Sequence, residues 1–304
     1  ENRVRNLLVV VTDPKESRYL FEKAAQLVQA NGKANDKPKI HVIQVIHEGV
    51  ADLNVKAIDA STSLKSFILS AAESQLEELV EPLRVKFPDL ECATLWNARS
   101  WEGILHAAER AEADLIVKTA GVDHGLSTVV RTPDDWNLLR HSPIAVMLVK
   151  ESAWAADGKI LCALDVFDDE HTSLNLALLR RAAEFARTLD ADLDLVCAYP
   201  LFEPWVGELG AVASYTDIKN DIEAEIRERV GDLVAQAGIE YQLLLLEEGH
   251  PAQVLTQLVE LAEPSMVVIG THARTGVSGA IMGNTSERIL HAVSADLVTV
   301  PAPA

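Results

Sequence analysis

The residues VVIGTHARTG, positions 267–276, decide the fold of this chain. An apolar strand runs directly into a small-residue turn, and a second small-residue turn, Gly283-Asn284-Thr285, opens a helix-like run. This order is typical of a parallel α/β sheet that holds phosphate on backbone N–H groups, because only small residues let the backbone approach closely. The pattern leaves one alternative open, in which Gly270 and Gly276 only make a tight turn after the strand.

The charges around this segment favour an anion site. Between Val230 and Ala304 the only Lys or Arg residues are Arg274 and Arg288, and Arg274 lies within the glycine turn. The surroundings are acidic, since residues 151–304 hold 9 Lys+Arg against 25 Asp+Glu. A single arginine in a glycine-bearing turn of an acidic region indicates a contact with an anionic ligand.

Composition and net charge narrow the class of protein. The chain has 304 residues, of which 48% are hydrophobic, which is enough for two domains with a core in each. The net charge of −19 argues against a nucleic-acid partner, and no apolar run approaches the roughly 18 residues of a membrane span. Three widely spaced cysteines, and no signal-peptide pattern at the start, predict a cytoplasmic protein with reduced thiols. The 9 histidines form no metal-binding pattern, so we expect no metal ligands.

Two halves of the chain repeat the same order of elements. Asn6–Asp13 and Lys159–Asp165 are both apolar strands that end on an aspartate. In each half the pattern then predicts a helix, a strand, a second helix and a third strand: Arg18–Gln29, Lys39–Ile46, Leu64–Val85 and Glu91–Trp96, then Ser173–Thr188, Ala191–Tyr199, Ile218–Gln236 and Glu240–Leu246. A repeat this long indicates duplicated domains rather than a solenoid. We therefore expect one domain at residues 1–152 and another at 153–304.

Apolar strands that alternate with helices predict parallel sheets covered on both faces. The expected fold is α/β, with two doubly wound domains in tandem. Ligands of such sheets bind beyond the carboxyl ends of the strands, where the strand order reverses. Asp165 follows the first strand of the second half and Gly270 ends its fourth, so we expect them to flank one crevice.

The second half resembles the universal stress protein family, and the order of motifs over the whole chain is similar to that of its tandem two-domain members. ATP-binding members carry Gly-x2-Gly-x9-Gly-Ser/Thr after the fourth strand, and Gly270, Ala273, Gly283 and Asn284 stand at these positions here. The resemblance implies an adenine-nucleotide α-hydrolase-like fold and a role in stress response. Single-domain members of the family dimerise through their last strands, so the resemblance also implies that Ala145–Val149 and Leu297–Val300 pair within the chain as a pseudo-dimer, with a further homodimer left open. It also implies ATP or another adenine nucleotide as the ligand, with Mg²⁺ if the ligand is a triphosphate.

The same resemblance implies which residues contact the nucleotide. The carboxylate of Asp165 would meet the adenine, beside the backbone near Ala198. The other members of the implied site would surround the ribose and the phosphates: Gly270, Thr271, Arg274, Gly276, Gly283, Asn284 and Thr285. Two departures weaken the phosphate site, because Ala273 adds a Cβ where a phosphate passes and Asn284 replaces a hydroxyl residue.

The first half differs at the corresponding positions. Asp123 stands where the second half has Arg274, and Pro133 stands where it has Asn284. An acid repels phosphate, and a proline removes a backbone donor. We therefore predict a degenerate phosphate loop and no anionic ligand in the first domain. Asp13 persists at the adenine position, where a capping or turn role is the alternative.

The sequence leaves three classes of function open. The leading one is a non-enzymatic stress-response protein that binds an adenine nucleotide in its second domain. The alternative is a module for a hydrophobic or nucleotide-linked small ligand under a flap at 200–212, which mixes Pro, Gly and large apolar residues. The third is weak nucleotide hydrolysis or transfer, for which no positioned base or nucleophile is evident. Asp168-Asp169-Glu170 resembles a divalent-ion cluster, but a role in capping the next helix is the simpler interpretation.

Overall fold

The chain divides into two compact units, and the boundary between them falls between Ala153 and Trp154. The computed structural model describes residues 4–29, 38–49, 51, 63–120, 133–199, 215–271 and 295–303. Within these ranges no helix is long and apolar enough to cross a membrane.

Within its described residues, the first unit has a five-stranded parallel sheet and four α-helices. Its strands are β1 (Asn6–Val11), β2 (Lys39–Ile46), β3 (Glu91–Trp96), β4 (Leu115–Thr119) and β5 (Ala145–Val149). Its helices are α1 (Arg18–Gln29), α2 (Leu64–Arg84), α3 (Ser100–Arg110) and α4 (Pro133–His141). The strand order is β3-β2-β1-β4-β5, and each neighbouring pair is parallel. The order reverses between β1 and β4.

The second unit repeats this architecture. Its strands are β6 (Lys159–Ala163), β7 (Asp192–Tyr199), β8 (Leu243–Glu248), β9 (Met266–Thr271) and β10 (Asp296–Pro301). Its described helices are α5 (Thr172–Leu189), α6 (Tyr215–Ala237) and α7 (Pro251–Ala262). The order β8-β7-β6-β9-β10 is again wholly parallel, and it reverses between β6 and β9. The predicted α/β fold, two doubly wound parallel sheets in tandem, is confirmed.

The core of each unit lies on its central strands. Every residue of β4 and of β5 is buried, as expected for strands with helices on both faces. In the second unit, α5 presents its apolar face to β6, β9 and β10. Its buried residues recur at helical spacing, as Leu174, Leu178, Ala182 and Phe185 show. The apolar residues that recur at helical spacing in the sequence of α5 are therefore the ones that pack against the sheet.

The predicted third strand of the second half was misplaced. The strand begins at Leu243 rather than Glu240, and it ends at Glu248 rather than Leu246. Helix α6 continues to Ala237, and Gly238 follows it in the left-handed region with φ +65. The chain then needs several residues to return to the sheet, where the Gln242 N–H donates to the Leu193 carbonyl at 2.7 Å. The left-handed glycine ends the helix, and the residues between it and Leu243 form the connection to the sheet.

Candidate functional site

The candidate site of the second unit lies at the carboxyl ends of its central strands. Cys162 of β6 pairs with Val268 of β9, and the Leu164 N–H donates to the Val196 carbonyl of β7 at 2.9 Å. The chain therefore leaves β6 at Asp165, level with the last residues of β7 and β9. The structure brings four residues of the predicted site to this edge: Asp165, Ala198, Gly270 and Thr271.

Asp165 is held in place by its backbone while its carboxylate reaches solvent. Buried Asn175, on α5, donates from Nδ2 to the Asp165 carbonyl at 2.7 Å and accepts from the Asp165 N–H at 3.3 Å. The carboxylate Oδ1 accepts from the Phe167 N–H at 3.2 Å, and Oδ2 lies 3.0 Å from His171 Nδ1. The side chain is still 59% exposed. The result is a fixed, accessible anion at the point where the strand order reverses.

Two residues that the sequence analysis missed shape this turn. Asn175 is one, and the other is Arg229 of α6, whose guanidinium donates to the Val166 carbonyl at 3.1 Å. Arg229 also pairs with Glu225 at 2.8 Å. A buried asparagine on an apolar helix face was a signal in the sequence, because buried amides need partners. Arg229 gave no comparable signal, since exposed arginines are common on helices.

Ala198 lies in β7 between two buried residues whose acidity is suppressed. Burial raises the pKa of the Cys197 thiol to about 12, and the nearby Asp165 carboxylate adds to the effect. Burial also raises the pKa of Tyr199 well above its ordinary value, helped by the hydrogen bond that its hydroxyl donates to Glu223 at 2.8 Å. Both groups are therefore neutral near pH 7, and neither offers a ready nucleophile beside the site.

Gly270 has a packing role in the structure. A Cβ at this position would lie 2.7 Å from Leu174 Cδ2 of α5, so a larger residue here would require the Leu174 side chain to shift. Thr271, the next residue, is buried and pairs with Pro301 of β10. This contact gives the glycine a packing role that is independent of both the phosphate turn and the tight turn considered in the sequence. The rest of the predicted phosphate loop lies outside the described residues, namely Arg274, Gly276, Gly283, Asn284 and Thr285. The proposed flap at 200–212 lies outside them too.

The corresponding edge of the first unit is arranged differently. Asp13 caps a short 3-10 turn, and its Oδ1 accepts from the Lys15 N–H at 2.8 Å. Beside it, Lys118 of β4 forms a buried ion pair with Asp135 of α4 at 2.6 Å and donates to the Thr119 carbonyl at 3.1 Å. The ammonium is thus engaged by protein groups. The capping role that was the alternative for Asp13 is the one seen in the structure.

The described residues show no group of three or more His, Cys, Asp or Glu side chains that could hold a metal ion. Asp168, in the acidic run that resembled an ion cluster, accepts from the Glu170 N–H at 2.9 Å and caps the 3-10 turn before α5.

Comparison with known proteins decides the family. The universal stress protein family model matches residues 3–150 and, a second time, residues 158–301. The chain belongs to this family. The predicted tandem arrangement of two universal stress domains is therefore confirmed. The family is one of stress-response proteins.

Full-length relatives agree with this assignment. Universal stress protein E of Escherichia coli (strain K12) is 27% identical over 301 residues, which cover 97% of this chain and 93% of the relative. The universal stress protein E homolog of Haemophilus influenzae is 26% identical and covers 98% and 97%. A functionally unknown protein of Pseudomonas aeruginosa PAO1 has a crystal structure that matches 99% of this chain and 94% of its own, with a TM-score of 0.73 at 26% identity. A universal stress protein from Archaeoglobus fulgidus shares the fold, with a TM-score of 0.66 at 14% identity over 99% of each chain.

Proposed function

We propose that this universal stress protein is non-enzymatic and binds an adenine nucleotide at the Asp165 edge of its second unit. The observation that carries the proposal is the Asp165 carboxylate, which is exposed yet fixed where the order of a parallel sheet reverses. ATP or another adenine nucleotide is the proposed ligand, with Mg²⁺ if it is a triphosphate.

The chemistry of Asp165 suits the amino edge of an adenine. A carboxylate accepts hydrogen bonds only, and an exocyclic amino group donates them. Asn175 bonds both the N–H and the carbonyl of Asp165, so this backbone loses little conformational freedom when a ligand binds. Charge-assisted hydrogen bonds of this kind contribute about 1.5–3 kcal/mol each.

The phosphate end of the proposed site is Arg274 with Gly276, Gly283, Asn284 and Thr285. In a half of the chain with 9 Lys+Arg and 25 Asp+Glu, a polyphosphate needs a local cation. The sequence offers Arg274 for this contact.

The acidities of the three cysteine thiols argue against a cysteine nucleophile, in keeping with the proposal of a non-enzymatic protein. The pKa values of Cys162 and Cys197 are raised to about 12 by burial, and that of Cys92 to about 11, so thiolates are scarce at neutral pH. All three cysteines are free, which supports the proposal of a reducing, cytoplasmic location.

A second candidate ligand is hydrophobic or nucleotide-linked and lies under the segment 200–212. One buried acceptor favours a polar group in such a ligand. Oε1 of Glu248, at the end of β8, has no hydrogen-bond partner among the described residues. Its Oε2 accepts from Tyr215. Mass spectrometry of the small molecules that co-purify with the protein would distinguish this ligand from a plain nucleotide.

Titration calorimetry with ATP, ADP and AMP tests the nucleotide proposal. We expect Asp165→Asn to weaken binding by roughly ten- to a hundred-fold, because it removes one charge-assisted acceptor. Asp13→Asn is the matched control, since Asp13 follows the first strand of the other unit and caps a turn there. It should leave affinity unchanged. Equal losses in the two variants, or no binding by the wild type, would contradict the proposal.

A further inference from the structure

The first unit contains a second candidate ligand site, on a face of its sheet. A cavity of about 360 Å³ lies between α3 and the strands β2 and β3, and we call it the α3 groove. One face of α3 lines it with Gly103, His106, Ala107 and Arg110, and the sheet contributes His41 and Ala93. Its size falls within the range of small-molecule sites, which is about 300–1,000 Å³.

Small side chains leave this groove open. Gly103 and Ala107 face it from the helix, and Ala93 faces it from β3. The repeat in the sequence places larger residues at the equivalent positions of the second unit: Val254, Leu258 and Leu245. The two units share a fold, so the small residues of the first unit leave space that the larger residues would occupy.

Polar groups without partners line the same groove. The Nε2 atom of His41 is buried and has no hydrogen-bond partner among the described residues, although Nδ1 lies 3.2 Å from Glu91 Oε2. The side chains of His106 and Arg110 are exposed at the rim of the groove, and neither side chain makes a hydrogen bond or ion pair with protein groups in the described ranges. The second unit has Asp194, Gln257 and Leu261 at the three corresponding positions, so this set of two histidines and one arginine is particular to the first unit.

We propose that the α3 groove binds a small organic anion, a carboxylate on a compact apolar skeleton. Arg110 binds the carboxylate, because a guanidinium donates to both oxygens of a carboxylate at once. The apolar skeleton lies over Ala93, Leu95 and Ala107. The carboxyl end of α3 carries about half a negative charge, which the full charge of Arg110 exceeds.

This site is separate from the proposed nucleotide site. It belongs to the first unit, and its lining includes Glu91 at the start of β3 and His41 near the start of β2. The nucleotide site is proposed at the carboxyl ends of strands in the second unit. Failure of either proposal therefore leaves the other standing.

Benzoate and benzamide are suitable probes, because they share a ring and differ in charge. We expect benzoate to bind the full-length protein saturably in a titration followed by NMR, with shifts at His41 and His106. Benzamide should bind at least ten-fold more weakly. Equal affinities would overturn the assignment of an anion, and no saturable benzoate binding would overturn the site.

Two variants, each with a matched control, locate the binding. Ala107→Leu introduces the residue of the second unit and should remove benzoate binding by filling the groove, whereas Ala224→Leu on an exposed face of α6 should not. Arg110→Leu should weaken binding at least ten-fold, whereas Arg227→Leu, also on the exposed face of α6, should leave it unchanged. Thermal unfolding checks that each variant is folded. Unchanged binding in both folded groove variants would overturn the proposal.

Discussion

At the scale of single residues, each unit has an aspartate shortly after its first strand, in a similar local turn. The carboxylates of Asp13 and Asp165 each accept from the N–H two positions later, at 2.8 and 3.2 Å. The difference comes from more distant residues, because Asn175 and His171 surround only Asp165. The sequence therefore identifies the aspartates, while the contacts that separate their roles come from a helix that folds back on them.

The charge of Arg274 can be tested at the same scale. Arg274→Ala should weaken ATP binding by about ten- to a hundred-fold, because it removes a charge-assisted contact to phosphate. Gly283→Val should weaken it at least as much by blocking the approach of the backbone. Calorimetry provides the measurement.

Thr132→Val is the control for both variants, since Thr132 stands in the first half where the second has Gly283. Its affinity should equal that of the wild type. If Thr132→Val loses binding and Arg274→Ala does not, the nucleotide site lies in the first half of the chain and the proposal is wrong.

At the scale of elements, the repeat in the sequence predicted the strands and helices of both sheets, because buried strands and amphipathic helices carry strong periodic signals. Their ends were less predictable, as the start of β8 at Leu243 shows. Long-range packing gave no signal in the sequence. The sequence around Gly270 has the pattern of a phosphate turn, but it gives no sign that Leu174 of α5 packs closely against this glycine.

The buried pair between Lys118 of β4 and Asp135 of α4 is another contact that no local pattern predicts. We expect Lys118→Met to lower the free energy of unfolding of the first unit by about 3–5 kcal/mol, because it leaves a carboxylate buried without its cation. Arg18→Met, which breaks the exposed pair with Glu22, should cost less than about 1 kcal/mol. Urea denaturation measures both.

The double variant Lys118→Met with Asp135→Leu provides the second half of this test. It should recover most of the loss, because an apolar pair of similar volume carries no desolvation penalty. If the single and double variants are equally destabilised, the pair acts through packing and its charges are unimportant.

At the scale of the whole molecule, the two units share a fold and differ in what their surfaces offer. The first unit carries a net charge of −3 over residues 1–150 and a groove lined by two histidines and an arginine. The second carries −16 over residues 151–304, with its exposed carboxylate at a strand end. Duplication followed by divergence of a few side chains explains how two units of one fold came to differ in their surfaces. Doubly wound sheets tolerate changes at loops and helix faces without losing their cores.

The buried thiols of the second unit predict how the whole protein responds to alkali. Burial raises the pKa of Cys162 and Cys197 to about 12 in the folded protein, from an ordinary value of 9.0. The folded state then holds protons that the unfolded state has lost between these values, so the free energy of unfolding must fall as pH rises above about 9. Below pH 9 the thiols are protonated in both states and have no effect. Urea unfolding at pH 7.5, 9 and 10.5 should show this decline in the wild type and a shallower one in Cys162→Ala with Cys197→Ala, and equal slopes would mean that other groups control it.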